Sequence, residues 1–219
     1  MTAESLITDT IVPLLPDDTG DDALRIMTDF YLRHLPVVDQ GELKAVISED
    51  DILEGDAMET VLSYRPPLQP PSVFPDDHIY DVMRLLVEYK LTMVPVVDRA
   101  GQYLGMVTSE DLLKSFAETS TFRDPGSIVI LEMGRHDYSL AEIARIVESE
   151  GAIVLSTFIR SFKDTERIEV TVKINSQSIA ATLATFERFN YHVKASFNEK
   201  QLQEALQERY DSLMNYLNV

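Results

Sequence analysis

An internal repeat constrains the fold of this chain more than any other feature of its 219 residues. Residues 16–39, PDDTGDDALRIMTDFYLRHLPVVD, align at an offset of 59 with residues 75–98, PDDHIYDVMRLLVEYKLTMVPVVD, and ten of the 24 positions are identical. After a one-residue insertion, AVISEDDIL at 45–53 matches GMVTSEDLL at 105–113. Two copies of PVVD in register indicate a duplicated structural unit.

Both copies predict the element order helix, strand, strand, helix. In the first copy, apolar residues at helical spacing are followed by two apolar runs of strand length and by a second helix that starts near Glu49. The same order in the second copy ends with a helix that starts near Ser109. Acidic pairs at 17–18 and 76–77 are expected at the first helix start of each copy, where an N-cap oxygen and negative charge are stabilising. The predicted strands are 35–38, 43–47, 94–97 and 103–107.

The chain between and after the two copies has a different character. Residues 64–75 hold five of the ten prolines and predict a stiff, extended connector. Residues 127–197 predict the order βαββαβ, a split βαβ sandwich with two helices on one face of an antiparallel sheet. An apolar stripe in the last residues predicts an amphipathic helix that packs on that sheet or across a dimer. Its members are Leu202, Leu206, Tyr210, Leu213 and Leu217.

Together these patterns predict a mixed α/β (α+β) chain in five parts. Hydrophobic residues make up 45% of the sequence, enough for each globular part to bury a core. The expected parts are a first repeat at 1–63, the connector at 64–75, a second repeat at 76–123, the βαββαβ domain at 127–197 and the C-terminal helix at 198–219.

The charge of the chain excludes two classes of partner. The 37 acidic and 19 basic residues give a net charge of −18, whereas nucleic acids and anionic membrane surfaces bind cationic faces. Residues 1–126 hold 24 acidic and nine basic residues, net −15, so the acidity belongs to the repeats. Adaptation to high salt is an alternative reason for this acidity.

The residue types also limit the chemistry. The absence of cysteine excludes disulfides and Cys-ligated metals. The four histidines stand singly, and the sequence has no catalytic motif, phosphate-binding loop or calcium loop, so we expect neither catalysis nor a metal site. No signal peptide or membrane-spanning stretch is visible, which predicts a cytoplasmic location.

The twin segments LPVVD and VPVVD, with the following VISEDD and VTSED, resemble the paired CBS domains that form a Bateman module. They fit that family's pattern of glycine, two hydrophobic residues, Thr or Ser, and Asp three residues later. Residues 127–197 resemble an ACT domain in element order, and the order CBS–CBS–ACT is similar to the acetoin-utilisation accessory proteins of bacteria. The resemblance implies a non-catalytic regulatory protein that dimerises through the ACT-like domain and acts on a partner protein that the sequence does not name.

The resemblance further implies a ligand site in the cleft between the repeats, for AMP, ADP, ATP or S-adenosylmethionine. Ser48 with Asp51, and Thr108 with Asp111, stand at the family's binding positions. A hydroxyl and a carboxylate one helical turn apart can hydrogen-bond ribose hydroxyls and meet a phosphate, and helix capping is their alternative role. Gly105 keeps the family's glycine, whereas alanine replaces it in the first copy.

Each of the other residues of the implied cleft is a candidate for ligand binding, with a purely structural role as the alternative. Arg33 is the candidate phosphate contact, or a solvated arginine at a helix end, and His34 is a cleft residue or a packed histidine. Val12, Val73 and Met93 are candidate walls for an adenine ring, or core residues. Arg33 or Mg²⁺ is expected to offset the acidity around an anionic nucleotide, whereas the cationic S-adenosylmethionine needs neither. A constitutive adaptor with empty clefts is the competing function.

The loop that opens the ACT-like region departs from amino-acid-binding members of that family. Those members have a glycine just before the leucine of the first helix, and here Tyr138 and Ser139 precede Leu140. The bulky side chain argues against amino-acid sensing. Asp137 or Ser139 is the expected N-cap of this helix, with Glu142 as the capping-box partner of Ser139.

Overall fold

A computed structural model describes residues 1–64, 69–163 and 165–198. Two compact units make up the chain, Met1–Phe116 and Ala117–Val219. Apart from Asn198, the predicted C-terminal helix lies outside the described residues, as do four residues of the predicted connector.

The first unit contains the helix, strand, strand, helix order twice, as the repeat predicts. Strand β1 pairs antiparallel with β2, and β3 with β4, and each pair carries a register shift inside the PVV segment. The first copy consists of α1 (Gly20–Asp29), β1 (His34–Asp39), β2 (Glu42–Ser48) and α2 (Glu49–Leu53). The second copy consists of α3 (Ile79–Glu88), β3 (Met93–Val97), β4 (Tyr103–Thr108) and α4 (Ser109–Ala117).

Each repeat has its own core, and a short 3-10 helix completes each of them. Val61, in the 3-10 helix Val61–Tyr64, is buried in the core of the first repeat. Ala3, in the 3-10 helix Ala3–Leu6, is buried in the core of the second repeat. The N-terminal residues therefore lie against the second repeat, far from them in the sequence, and this placement builds one wall of the site described below.

The helix starts differ slightly from the sequence prediction. Thr19 caps α1 and His78 caps α3, one residue after each acidic pair. Asp18 and Asp77 instead accept hydrogen bonds from backbone amides three residues earlier, at 2.7 and 2.8 Å. Aspartate favours such local turns, so the acidic pairs close the turn that precedes each helix.

The second unit has the predicted βαββαβ order. Its four strands form one antiparallel sheet in the order β6-β7-β5-β8, and a short helix, α5 (Ser120–Arg123), precedes the sheet. Helices α6 and α7 contribute buried residues to a core shared with one face of the sheet, here called the inner face. The remaining elements are β5 (Ser127–Gly134), α6 (Leu140–Ser149), β6 (Val154–Ser161), β7 (Arg167–Ile174), α7 (Ala180–Arg188) and β8 (His192–Asn198).

The start of α6 confirms one predicted contact and corrects another. Ser139 is the N-cap and accepts from the Glu142 amide at 3.3 Å. The Glu142 side chain does not complete a capping box, because it accepts a 2.8 Å hydrogen bond from the Tyr191 hydroxyl. Burial and this hydrogen bond raise the pKa of Tyr191 to about 12.

Candidate ligand-binding site

A cavity of about 200 Å³ lies in the first unit, where the N-terminal segment meets the second repeat. Three parts of the chain line it: the N-terminal segment, the end of α1 and the start of α4. The lining residues are Thr8, Thr10, Ile11, Phe30, Tyr31, Leu32, Thr108, Ser109, Glu110, Asp111 and Lys114.

Two of the predicted site residues, Thr108 and Asp111, meet in this cavity. Thr108 is buried, and its hydroxyl donates to Asp111 Oδ2 at 2.6 Å while accepting from the Asp111 amide at 3.0 Å. Thr108 and Asp111 therefore both cap the start of α4 and line the cavity. The bond from Thr108 uses Oδ2, which leaves Asp111 Oδ1 to accept from a ligand.

Gly105 allows the N-terminal segment to reach this place. Its φ is +143°, and a Cβ there would lie 2.5 Å from Ile7 Cγ2 and 3.0 Å from the Thr8 carbonyl oxygen. The Thr8 amide donates to the Met106 carbonyl at 2.8 Å across this contact. In the structure, the space at Gly105 is therefore filled by the N-terminal segment, which brings Thr8 and Thr10 to the cavity.

The end of α1 places an aromatic ring at the rim. Tyr31 has φ +54°, the left-handed conformation that commonly ends a helix. The Leu32 amide then donates to the Met27 carbonyl at 2.9 Å, which closes the last turn. The Tyr31 side chain is 91% exposed, so its ring is free to contact a molecule in the cavity mouth.

The charged side chains of the cavity all come from α4. Lys114 Nζ pairs with Glu110 Oε1 at 2.7 Å, and this hydrogen bond raises the pKa of Lys114. Both side chains are about two-thirds exposed, so the pair is open to exchange with solvent ions. An anionic group would therefore meet one lysine that is already engaged by a carboxylate.

The first repeat carries the same polar pair at the start of α2. Ser48 caps α2, donating to Asp51 Oδ2 at 2.5 Å and accepting from the Asp51 amide at 3.1 Å. Arg33 lies next to this helix start and binds Glu49 at 2.9 Å and Asp50 at 2.8 Å. These two carboxylates raise the pKa of Arg33 and occupy its guanidinium, so a phosphate would have to displace them.

His34 has a packing role in the structure. Its Nδ1 accepts from the Thr92 amide at 3.3 Å and lies 3.2 Å from the Thr92 hydroxyl, which links the two repeats. Burial lowers the pKa of His34, and the neighbouring Arg33 charge lowers it further. The accepted hydrogen bond assigns the ring proton to Nε2.

The predicted apolar walls are not gathered at the cavity. Val73 is buried in the core of the second repeat and Met93 in the core of the first, whereas Val12 is 68% exposed. Sequence reasoning missed Thr8, Thr10, Tyr31 and Lys114. Thr8 and Thr10 precede the repeated segment, so the repeat carries no information about them.

No three His, Asp or Glu side chains within 1–64, 69–163 and 165–198 come together in a way that could hold a metal ion. Across the same residues, no helix is both long and apolar enough to cross a membrane.

A larger hollow of about 470 Å³ lies in the second unit, at the end of β5. In its lining, Arg167 binds Glu132 at 3.1 Å and Glu142 accepts from the Tyr191 hydroxyl, and Asp137, Asn190 and His192 also line it. The smaller cavity, which is lined by the predicted site residues Thr108 and Asp111, is the candidate site.

The first unit is built on two α/β repeats with the same order of elements, and it holds a polar cavity at the start of α4. The family model for the CBS domain matches residues 3–57 and 64–118, which together make up half of the chain. This chain belongs to the CBS-domain family.

Relatives by sequence match about half of this chain. Inosine-5'-monophosphate dehydrogenase of Korarchaeum cryptofilum is 24% identical over 122 residues, which cover 56% of this chain and 26% of that enzyme. An uncharacterized protein of Methanocaldococcus jannaschii is 26% identical over 118 residues, covering 52% of this chain and 44% of that protein. The match spans less than half of the length of either relative.

Solved structures are similar over a comparable share of the chain. A CBS domain pair/ACT domain protein from Thermotoga maritima is 23% identical, with a TM-score of 0.48, and the match covers 54% of this chain and 98% of that one. The structure of CBSX2 in complex with AMP is 23% identical, with a TM-score of 0.47, over 53% of this chain and 97% of that one.

Proposed function

We propose that this chain is a non-catalytic regulatory protein that senses an adenosyl ligand of the AMP, ADP or ATP class in the cleft of its second CBS repeat. The observation that carries the proposal is the convergence of Thr108 and Asp111 with the N-terminal hydroxyls of Thr8 and Thr10 around one cavity. Tyr31 stands at the rim of the same cavity.

Each part of the cavity suits one part of an adenine nucleotide. The free Asp111 Oδ1 can accept from ribose hydroxyls, which are donors at a fixed separation. The hydroxyls of Thr8, Thr10 and Ser109 can donate to a phosphate. The exposed ring of Tyr31 can stack on the adenine.

The cavity at Thr108 and Asp111 is a better candidate than the Ser48–Asp51 pair because its cation has fewer carboxylate partners. Lys114 is engaged by one carboxylate, whereas Arg33, next to the start of α2, is engaged by two, Glu49 and Asp50. A phosphate that binds Lys114 displaces one exposed carboxylate, whereas one that binds Arg33 displaces two. Binding at Lys114 therefore costs less free energy.

Charge and size together order the candidate ligands. The cavity volume of about 200 Å³ is below the ~300–1,000 Å³ of most ligand pockets, which favours a mononucleotide over a larger ligand. Glu110 and Asp111 oppose added negative charge there, so we rank AMP above ATP unless Mg²⁺ accompanies the triphosphate. S-adenosylmethionine, whose sulfonium is cationic, is the alternative ligand, and an adaptor with empty clefts is the alternative function.

The second unit supports a signalling role by its order of elements. We assign it as an ACT-like domain that forms a homodimer and passes the state of the repeats to a regulated partner protein in the cytoplasm. A ligand can shift such an equilibrium only by the difference in its affinity for the two states.

Calorimetric titration of the protein with AMP, ADP, ATP and S-adenosylmethionine tests this function. We expect an adenine nucleotide to bind below millimolar concentration, and Asp111→Asn to weaken binding by about 10- to 100-fold through the loss of charged hydrogen bonds to ribose. Asp51→Asn, tested separately, assigns the cleft, since it should leave that affinity unchanged. Failure of all four compounds to bind below millimolar leaves the adaptor as the remaining function.

A further inference from the structure

The two repeats meet at a junction formed by Arg33, His34 and Thr92. Arg33 and Thr92 stand at equivalent positions, immediately before β1 and β3. The Arg33 amide donates to the Thr92 hydroxyl at 3.0 Å. The Thr92 amide donates to His34 Nδ1 at 3.3 Å, and the Thr92 hydroxyl lies 3.2 Å from the same nitrogen. A histidine of the first repeat is therefore the acceptor that holds a backbone amide of the second.

The junction also holds the start of the second helix in each repeat. The Thr92 carbonyl accepts from the Ser109 amide at 3.0 Å, and the Arg33 carbonyl accepts from the Glu49 amide at 2.8 Å. Ser109 is the first residue of α4 and lines the candidate ligand site. The backbone of Thr92 thus joins the His34 ring, through its amide, to the wall of the cavity, through its carbonyl.

We propose that His34 makes ligand binding in the cavity of the second repeat depend on pH, because it holds Thr92, and through Thr92 the start of α4, only while Nδ1 carries no proton. This inference rests on the proposed function for the ligand, and it adds a means of regulation to that site. His34 acts on the cavity through Thr92 and Ser109, which makes it a positioning residue.

A proton on Nδ1 reverses the hydrogen-bonding role of this nitrogen. Unprotonated Nδ1 accepts from the Thr92 amide, whereas protonated Nδ1 is a donor. The new N–H can be donated to the Thr92 hydroxyl, but the Thr92 amide then faces a second donor. Because the contact is partly buried, an amide that loses its acceptor there destabilises the junction. We expect the Thr92 backbone to move away from the ring and to loosen its hold on the Ser109 amide.

The surroundings of the ring place this protonation in mildly acidic solution. Burial lowers the pKa of His34, and the Arg33 charge lowers it further. Three carboxylates at the start of α2 oppose this shift, in decreasing order Asp51, Asp50 and Glu49. The second repeat faces the ring with Thr92, and β2 pairs His34 with Ser48, and both of these residues are uncharged. Nδ1 is therefore unprotonated at pH 7 and takes up a proton only below a pH of about 6.5.

Two matched substitutions of His34 separate the Nδ1 acceptor from the rest of the ring. Asparagine places an amide oxygen close to the position of Nδ1 and does not titrate, so His34→Asn keeps the acceptor at every pH. Glutamine is one methylene longer and places its amide near the position of Nε2, so His34→Gln removes the acceptor. The affinity for AMP is measured by calorimetric titration at pH 7 and pH 5 in the wild type and in both variants.

Between pH 7 and pH 5, we expect the affinity for AMP to fall about fivefold more in the wild type than in His34→Asn, because binding favours the neutral ring. The AMP phosphate also takes up a proton near pH 6, but this effect is common to both proteins and cancels in the comparison. At pH 7, His34→Gln should bind AMP about fivefold more weakly than the wild type. Equal pH dependence of the wild type and His34→Asn would overturn the proposal.

A measurement without ligand separates this inference from the proposed function. In heteronuclear NMR spectra recorded from pH 7 to pH 5, the Thr92 and Ser109 amides should shift with the same midpoint as the His34 ring, and His34→Asn should lack these shifts. A Ser109 amide that does not follow the ring would contradict the coupling even if AMP binds. Amides that follow the ring in a protein that binds no nucleotide would instead refute the proposed function and leave the coupling between His34 and α4 intact.

Discussion

Gly105 offers the sharpest test of how the N-terminal segment builds the cleft. Gly105→Ala would hold alanine at φ +143°, which costs about 1–2 kcal/mol in backbone strain. Its Cβ would also lie 2.5 Å from Ile7 Cγ2 and 3.0 Å from the Thr8 carbonyl oxygen, an overpacking that costs about 1–3 kcal/mol. We therefore expect Gly105→Ala to lower the free energy of opening the Thr8–Met106 contact by about 3 kcal/mol.

Gly101→Ala is the matched control. Gly101 also has a positive φ, +85°, but a Cβ there has no atom within 4 Å, so only the strain of about 1 kcal/mol applies. The difference of about 2 kcal/mol between the variants is therefore the contribution of the close contact, and it corresponds to about a 30-fold change in an opening equilibrium.

Hydrogen exchange followed by mass spectrometry measures this difference directly. In peptides that contain Met106 and Thr8, whose amides bond across the contact, Gly105→Ala should raise exchange about 30-fold more than Gly101→Ala. The affinity for AMP should fall in Gly105→Ala alone, because Thr8 lines the cavity. Equal exchange in the two variants would refute the close approach of Thr8 to Gly105 as the reason for glycine at this position.

Three further substitutions test other parts of the cleft region. His34→Asn keeps an acceptor for the Thr92 amide but cannot be protonated. Burial lowers the pKa of His34 below its unfolded value of about 6.5, so the unfolded state binds more protons than the folded state. The wild type therefore loses stability as the pH falls below about 6.5. Urea unfolding at pH 7 and pH 5 should show a smaller loss of stability in the variant than in the wild type. Arg33→Gln breaks exposed ion pairs and should leave the calorimetric affinity for AMP unchanged, whereas a tenfold loss would make Arg33 a phosphate contact. Lys114→Gln should weaken AMP binding and reduce its dependence on salt, and an unchanged salt dependence would remove Lys114 from the site.

The fold was predictable from the sequence because the duplicated segment contains its own elements. Helical spacing after Thr19 and the apolar PVV strands are local patterns, and they reappear at the same offset in the second copy. Helix caps were less predictable. Asp18 and Thr19 are both good capping residues, and only the backbone turn decides that Asp18 closes the turn while Thr19 caps the helix.

The candidate site was predictable only where it coincides with the repeat. Thr108 and Asp111 follow from the repeated strand and helix start, whereas Thr8 reaches the cavity through a bridge to Met106, 98 positions away in the sequence. The pairing of Arg33 with Glu49 and Asp50 is also a tertiary contact. No local pattern distinguishes an arginine that is free to bind phosphate from one that two carboxylates already hold.

The location of bound AMP tests the central claim most directly. In heteronuclear NMR spectra of the uniformly labelled protein, saturating AMP should shift the backbone amides of Thr8, Thr10, Tyr31, Thr108 and Asp111, which line one cavity. The amides around Ser48 and Asp51 in the first repeat should shift little. The absence of shifts at Thr108 and Asp111, or shifts confined to the first repeat, would contradict a nucleotide site in the cavity that these two residues line.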